Sequence, residues 1–180
     1  MRIFSSRYFF LFTLLTFLFC CSHAANSPDL ITNICSKTLN PTYCLQFLKP
    51  LYRSGDSLRD LAKDTIDSSS KFLFFVYDEI HVREIQSSKN TVLNDIYHKC
   101  GVQYTAATNA IRKGQNALGS GDYRNLSSLA ALALKQAQNC ELNFGGGVSE
   151  PADFKNLNEK GRDVCSIVLA VANLLVSRKI

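Results

Sequence analysis

The 180-residue chain has little of what most catalytic and nucleic-acid-binding proteins need. No C-x-x-C pair occurs, and the one Cys near a His, in His98-Lys99-Cys100, lies at a helical spacing that points the two side chains apart. This excludes the usual zinc-binding patterns. There is no Gly-rich phosphate loop, Gly-x-Ser-x-Gly elbow or paired-carboxylate motif, and Gly145-Gly146-Gly147 follows a helical stretch, so it reads as a hinge. No Lys/Arg run is dense enough for a nucleic-acid surface. No segment alternates apolar and polar residues over a strand's length, so a sheet is not expected. Proline and glycine number only 4 and 9, and they fall mostly at breaks between apolar-periodic segments.

The N-terminus reads as a targeting signal. Arg2 and Arg7 precede an apolar run from Tyr8 to Cys21, and Ser22-His23-Ala24 supplies a small-residue cleavage site. A secretory signal peptide over 1–24, cut after Ala24, leaves one domain over 25–180. The run is too short to span a bilayer comfortably, and Phe19 before Cys20 argues against a lipoprotein site. Of 20 Lys+Arg and 15 Asp+Glu, Arg2 and Arg7 leave with the leader, so 18 face 15 and the net charge is +3.

Two of the 7 Cys, Cys20 and Cys21, also leave. Cys35, Cys44, Cys100, Cys140 and Cys165 remain, and in an oxidising compartment four pair and one is left over. Cys35 and Cys44 flank the Asn40-Pro41-Thr42 break of a short helical hairpin, close enough to bridge. Cys100 and Cys140 lie on the apolar stripes of two successive long helices. Cys165, between Val164 and Ser166 on an apolar helix, reads as a buried, inert thiol.

Helical spacing runs through the rest. Leu58, Leu61, Thr65, Ser69, Phe72, Val76 and Ile80 form one stripe after the Ser54–Ser57 turn. Phe74, Phe75 and Tyr77 widen its apolar surface, which calls for cover by the hairpin or by a partner. A break at 87–91 precedes the stripe Leu93, Ile96, Cys100, Tyr104, Ala107, Ile111 and Leu118. A Gly119-Ser120-Gly121-Asp122 turn follows, then a helix from about Leu126 to Cys140, and a last helix from about Ala152 to Ser177. Four long helices with short connections predict an all-α, up-down-up-down four-helix bundle preceded by a helical hairpin.

Asp78/His81 and Asp95/His98 are the only pairs that suggest a metal. His98 falls off the core stripe, so no metal site and no cofactor are expected. Asn125-Leu126-Ser127 is the sole glycosylation sequon, which makes Asn125 the candidate for a glycan.

Several stretches together resemble the plant invertase/pectin methylesterase inhibitor family. They are Thr32-Asn33-Ile34-Cys35-Ser36-Lys37-Thr38 with Asn40-Pro41-Thr42-Tyr43-Cys44-Leu45, then Ser120-Gly121-Asp122-Tyr123 leading through Ala130-Ala131 to Cys140, and the closing run from Val164 to Leu175. The resemblance implies a non-catalytic bundle with disulfides Cys35–Cys44 and Cys100–Cys140 and a free Cys165. It also implies a monomer that binds one carbohydrate-active enzyme non-covalently, one to one, and covers its cleft. The place implied is the apoplast or cell wall, or alternatively the vacuole, with no nucleic-acid or membrane partner.

Invertase inhibitors of this family often carry Pro-Lys-Phe after the Gly-Asp turn. Here Gly121-Asp122 is followed by Tyr123-Arg124-Asn125, which points to pectin methylesterase as the partner, with invertase as the alternative. A secreted structural or allergen-like bundle without an enzyme target is a third reading. The stripe Ser128, Leu132, Lys135, Asn139 and Asn143 is the expected partner-binding face. Lys135 and Asn139 depart from the family pattern, which often has Asp and Thr there.

Overall fold

Four of the six helices begin at a side-chain cap. In the computed structural model, which describes residues 29–145 and 147–178, the elements are α1 (Leu30–Cys35), α2 (Pro41–Leu48), α3 (Leu58–Gln86), α4 (Thr91–Ser120), α5 (Tyr123–Leu142) and α6 (Ala152–Arg178). The leader read at 1–24 lies outside the described residues. Asn40 caps α2, accepting from the Tyr43 amide, and Pro41 fills the first turn, where a missing N–H costs nothing. Ser57 and Asp60 close a reciprocal capping box on α3, and Asn90 caps α4 through the Leu93 amide. Gly121 ends α4 in the left-handed region at φ 73°, where a side chain would be strained. Asp122 then accepts from the Asn125 amide, so α5 begins at Tyr123, a turn earlier than the apolar periodicity suggested.

The four long helices form a ring in which α3 packs on α4, α4 on α5, α5 on α6 and α6 back on α3. No strand occurs among the described residues. The expected bundle is therefore present, with both disulfides: Cys35–Cys44 has its Cα atoms 5.4 Å apart and Cys100–Cys140 4.6 Å apart. On α3 the buried position is Leu73, while Phe72 is half-buried. The helical turn places the smaller side chain at the centre and leaves the larger ring at the margin.

The hairpin docks on α6. The Leu39 amide donates to Ser166 Oγ at 3.0 Å, and Asn40 Nδ2 donates to Asp163 Oδ2 at 3.1 Å. Phe74 and Phe75 on α3 consequently stay 57% and 50% exposed, so the hairpin does not supply the cover those rings called for. Burial pushes the Asp163 carboxyl up, partly offset by the Asn40 hydrogen bond.

Two polar devices lock the bundle. Tyr104 Oη on α4 donates to Asn158 Oδ1 on α6 at 2.7 Å, and Asn158 Nδ2 donates to Glu150 Oε1 at 3.2 Å. At one end, Tyr97, Phe144 and Phe154 meet ring to ring, and the Arg83 guanidinium lies over Phe154 at 5.3 Å while bonding Asp153 at 2.7 Å.

Candidate functional site

The α5 stripe is built by register. The Cys100–Cys140 bridge and the approach of Gly114 to Leu126 pin residues 100–114 of α4 antiparallel to 126–140 of α5. Leu126, Ala130, Ala133, Ala137 and Cys140 fill the inner side of α5. Four of those five are small, so the helices sit close and the next positions round are pushed outward. Ser128, Leu132 and Lys135 are exposed, and Leu132 keeps 44% of its surface in solvent.

The expected stripe does not continue evenly to its end. Asn139 is half-buried. Asn143 lies one residue past the last helical turn, also half-buried, and its Nδ2 donates to Gln103 Oε1 on α4 at 2.9 Å. Asn143 therefore joins the two helices, and the free part of the stripe is Ser128 to Lys135. Gln103 of α4 thus meets the far end of the stripe through Asn143. Its part there was not read from the sequence, because it depends on the α4–α5 register, which only the packed pair shows.

The histidines meet somewhere else. His98 Nδ1 lies 2.9 Å from Glu84 Oε1, and His81 Nδ1 lies 3.7 Å from Glu84 Oε2. They line a surface groove of about 370 Å³ between α3 and α4 with Tyr77, Gly101, Val102 and Thr105. Asp95 instead pairs with Lys99 at 2.6 Å. Both histidines thus turn to Glu84, and among the described residues no three His, Cys, Asp or Glu side chains are arranged to hold a metal.

Cys165 is fully buried, and burial pushes its thiol up to about 12. A thiol in that setting is neither a nucleophile nor a ligand at ordinary pH. Asn125 is exposed in the first turn of α5, and the hydroxyl of Ser127 in the same sequon donates to Asn173 Oδ1 at 2.6 Å. No helix among the described residues is long and apolar enough to cross a membrane.

The molecule is a disulfide-bridged helical bundle with a docked hairpin and an exposed, alanine-backed stripe on α5. The plant invertase/pectin methylesterase inhibitor profile matches residues 29–171, and the chain belongs to that family of inhibitor proteins. It is similar to a pectinesterase inhibitor of Actinidia deliciosa, 30% identical over 158 residues, covering 83% of this chain and 81% of that protein. It is also similar to pectinesterase inhibitor 1 of Arabidopsis thaliana, 28% identical over 154 residues and 86% of each chain. The crystal structure of a mutant form of a pectin methylesterase inhibitor from Arabidopsis superposes with a TM-score of 0.72 at 26% identity, over 82% of this chain and 97% of that one. The structure of an inhibitor from Arabidopsis thaliana gives 0.62 at 26% identity, over 81% and 95%.

Proposed function

We propose that this chain is a secreted inhibitor of pectin methylesterase that acts by occupying the enzyme's pectin-binding cleft as a one-to-one, non-covalent complex. The observation that carries the reading is that both relatives named as pectinesterase inhibitors align over more than four-fifths of this chain. The turn at Gly121-Asp122-Tyr123, without Pro-Lys-Phe, supports the same target over invertase. The inhibitor does no chemistry. A bundle face that covers a polymer cleft excludes substrate sterically.

Ser128, Leu132 and Lys135 form the docking stripe in this reading, with Asn139 at its margin. The leader over 1–24 and two disulfides in one small domain support delivery to an oxidising, extracellular compartment, the plant cell wall. Asn125, exposed beside the stripe, is the glycan acceptor.

The test is direct. Purified mature protein with both disulfides closed is added to a pectin methylesterase and, in parallel, to an acid invertase. The expected outcome is loss of methanol release from pectin that saturates at one inhibitor per enzyme, with sucrose hydrolysis unchanged. Unchanged esterase activity across several isoforms and pH values overturns the reading.

A further inference from the structure

Charge is divided unevenly around the ring of helices. From Ile96 to Gly121, and again from Tyr123 to Cys140, the chain has no Asp or Glu at all. The same two helices carry Lys99, Arg112, Lys113, Arg124 and Lys135, all exposed. By contrast α3 alone carries Asp60, Asp64, Asp67, Asp78, Glu79 and Glu84. Lys99 is neutralised by Asp95, but Lys113, Arg124 and Lys135 take part in no ion pair among the described residues.

The α4–α5 register sets where these cations stand. Gly114 faces Leu126, so Lys113, one residue before it, lies level with the start of α5, where Arg124 and Ser128, four residues apart, are both exposed. Lys135 follows two turns along. Exposed Leu132 sits between them, with Ala131 beside it. An apolar centre ringed by polar and cationic side chains is the anatomy of a protein–protein interface. A site for a polyanionic sugar chain needs no such centre.

We infer that the α4–α5 face recognises its partner through an acidic protein surface, so that Lys113, Arg124 and Lys135 select among target enzymes by charge. This rests on the inhibitor reading above and names the kind of target it takes: an esterase whose cleft rim is acidic. Rim charges of this kind act mainly on the association rate and are screened by salt.

The experiment measures association with an immobilised pectin methylesterase of acidic surface at ionic strengths of about 0.01 M and about 1 M, where the Debye length falls from about 30 to about 3 Å. The wild-type protein, the triple variant Lys113→Glu/Arg124→Glu/Lys135→Glu and the α3 control Lys71→Glu are compared, with helical circular dichroism confirming the fold of each. The triple variant is expected to associate at least about tenfold more slowly at low salt. The gap is expected to close at high salt, and Lys71→Glu is expected to match wild type. Salt dependence of the wild-type rate gives the same answer without any variant. A triple variant that associates at the wild-type rate, or a wild-type rate insensitive to salt, overturns this inference and leaves the inhibitor reading standing. Retention of the wild-type protein on polygalacturonate, lost in the triple variant while esterase binding persists, overturns it in favour of a polyuronate site. Failure to bind any esterase at any salt overturns both.

Discussion

Gly161 on α6 faces the Tyr104 hydroxyl so closely that a Cβ at residue 161 would lie 2.2 Å from the oxygen and 3.0 Å from Cζ. The glycine is there for close approach, since α6 continues through it as regular helix. Tyr104 is fully buried, and its hydroxyl is held by Asn158, so the ring has nowhere to retreat.

Gly161→Ala is expected to lower stability by about 3 kcal/mol, combining overpacking with the disturbed Tyr104–Asn158 hydrogen bond. Urea unfolding measures it. Tyr104→Phe removes the atom nearest the new methyl group, so the two changes are expected to be less than additive in a double-mutant cycle. Strict additivity would show that the contact is not what makes the glycine necessary.

The two disulfides are expected to differ in worth. Cys100–Cys140 closes a sequence separation of 40 and Cys35–Cys44 one of 9. In the chain-entropy account, their removal by paired Cys→Ala substitution costs about 3–4 and about 2–3 kcal/mol respectively. The second loss is expected to fall on the hairpin. Hydrogen exchange at 30–48 is expected to accelerate well before the amides of α3 to α6.

Cys165 is expected to resist alkylation in the native protein. Burial both hides the thiol and keeps it protonated, with its pKa pushed up to about 12. Iodoacetamide labelling at pH 8 is expected to track global unfolding by urea. Labelling at the rate of a free thiol without denaturant would show that α6 opens locally there.

Asp163 links hairpin stability to pH. Burial raises its carboxyl pKa in the folded protein, so the proton binds more tightly folded than unfolded. Its contribution is fully present below the unfolded pKa and is lost as pH rises through the folded one. Asp163→Asn keeps an acceptor for Asn40 and carries no charge at any pH. Its Tm is expected to exceed that of the wild type at pH 7, and the advantage is expected to shrink toward pH 3. A Tm difference that does not change with pH would show that the carboxyl pays no burial penalty in the fold.

Much of the architecture was legible in residues close together in the chain. Helix ends are local events: Ser57 with Asp60, Asn90 with Leu93 and Gly121 before Asp122 act within a few residues. Apolar periodicity is equally local, which is why the helix count and the order of the breaks could be read directly. The misreadings have the same physical origin. Phe72 and Leu73 are adjacent and both apolar, so only neighbouring helices decide which one is enclosed. The start of α5 was placed late because Tyr123 and Arg124 add little to the apolar stripe, although Asp122 was a sufficient cap.

The candidate site was legible only in part. The spacing of Ser128, Leu132, Lys135, Asn139 and Asn143 marks one side of a helix, but spacing cannot tell where that helix stops. Asn143 falls just beyond the end and bonds Gln103, 40 residues away in the chain.

The sequence by itself determined the all-helical class, the caps, the four paired cysteines and the absence of carboxylates between Ile96 and Gly121 and between Tyr123 and Cys140. Each of these is a property of composition or of short-range spacing. Tertiary structure alone decided that the hairpin rests on α6 through Leu39 and Ser166, 127 residues apart, that Gly161 makes room for Tyr104, and that Gly114 of α4 faces Leu126 of α5. Those relationships depend on helix register across the bundle, which is settled by core packing between segments that never meet along the chain.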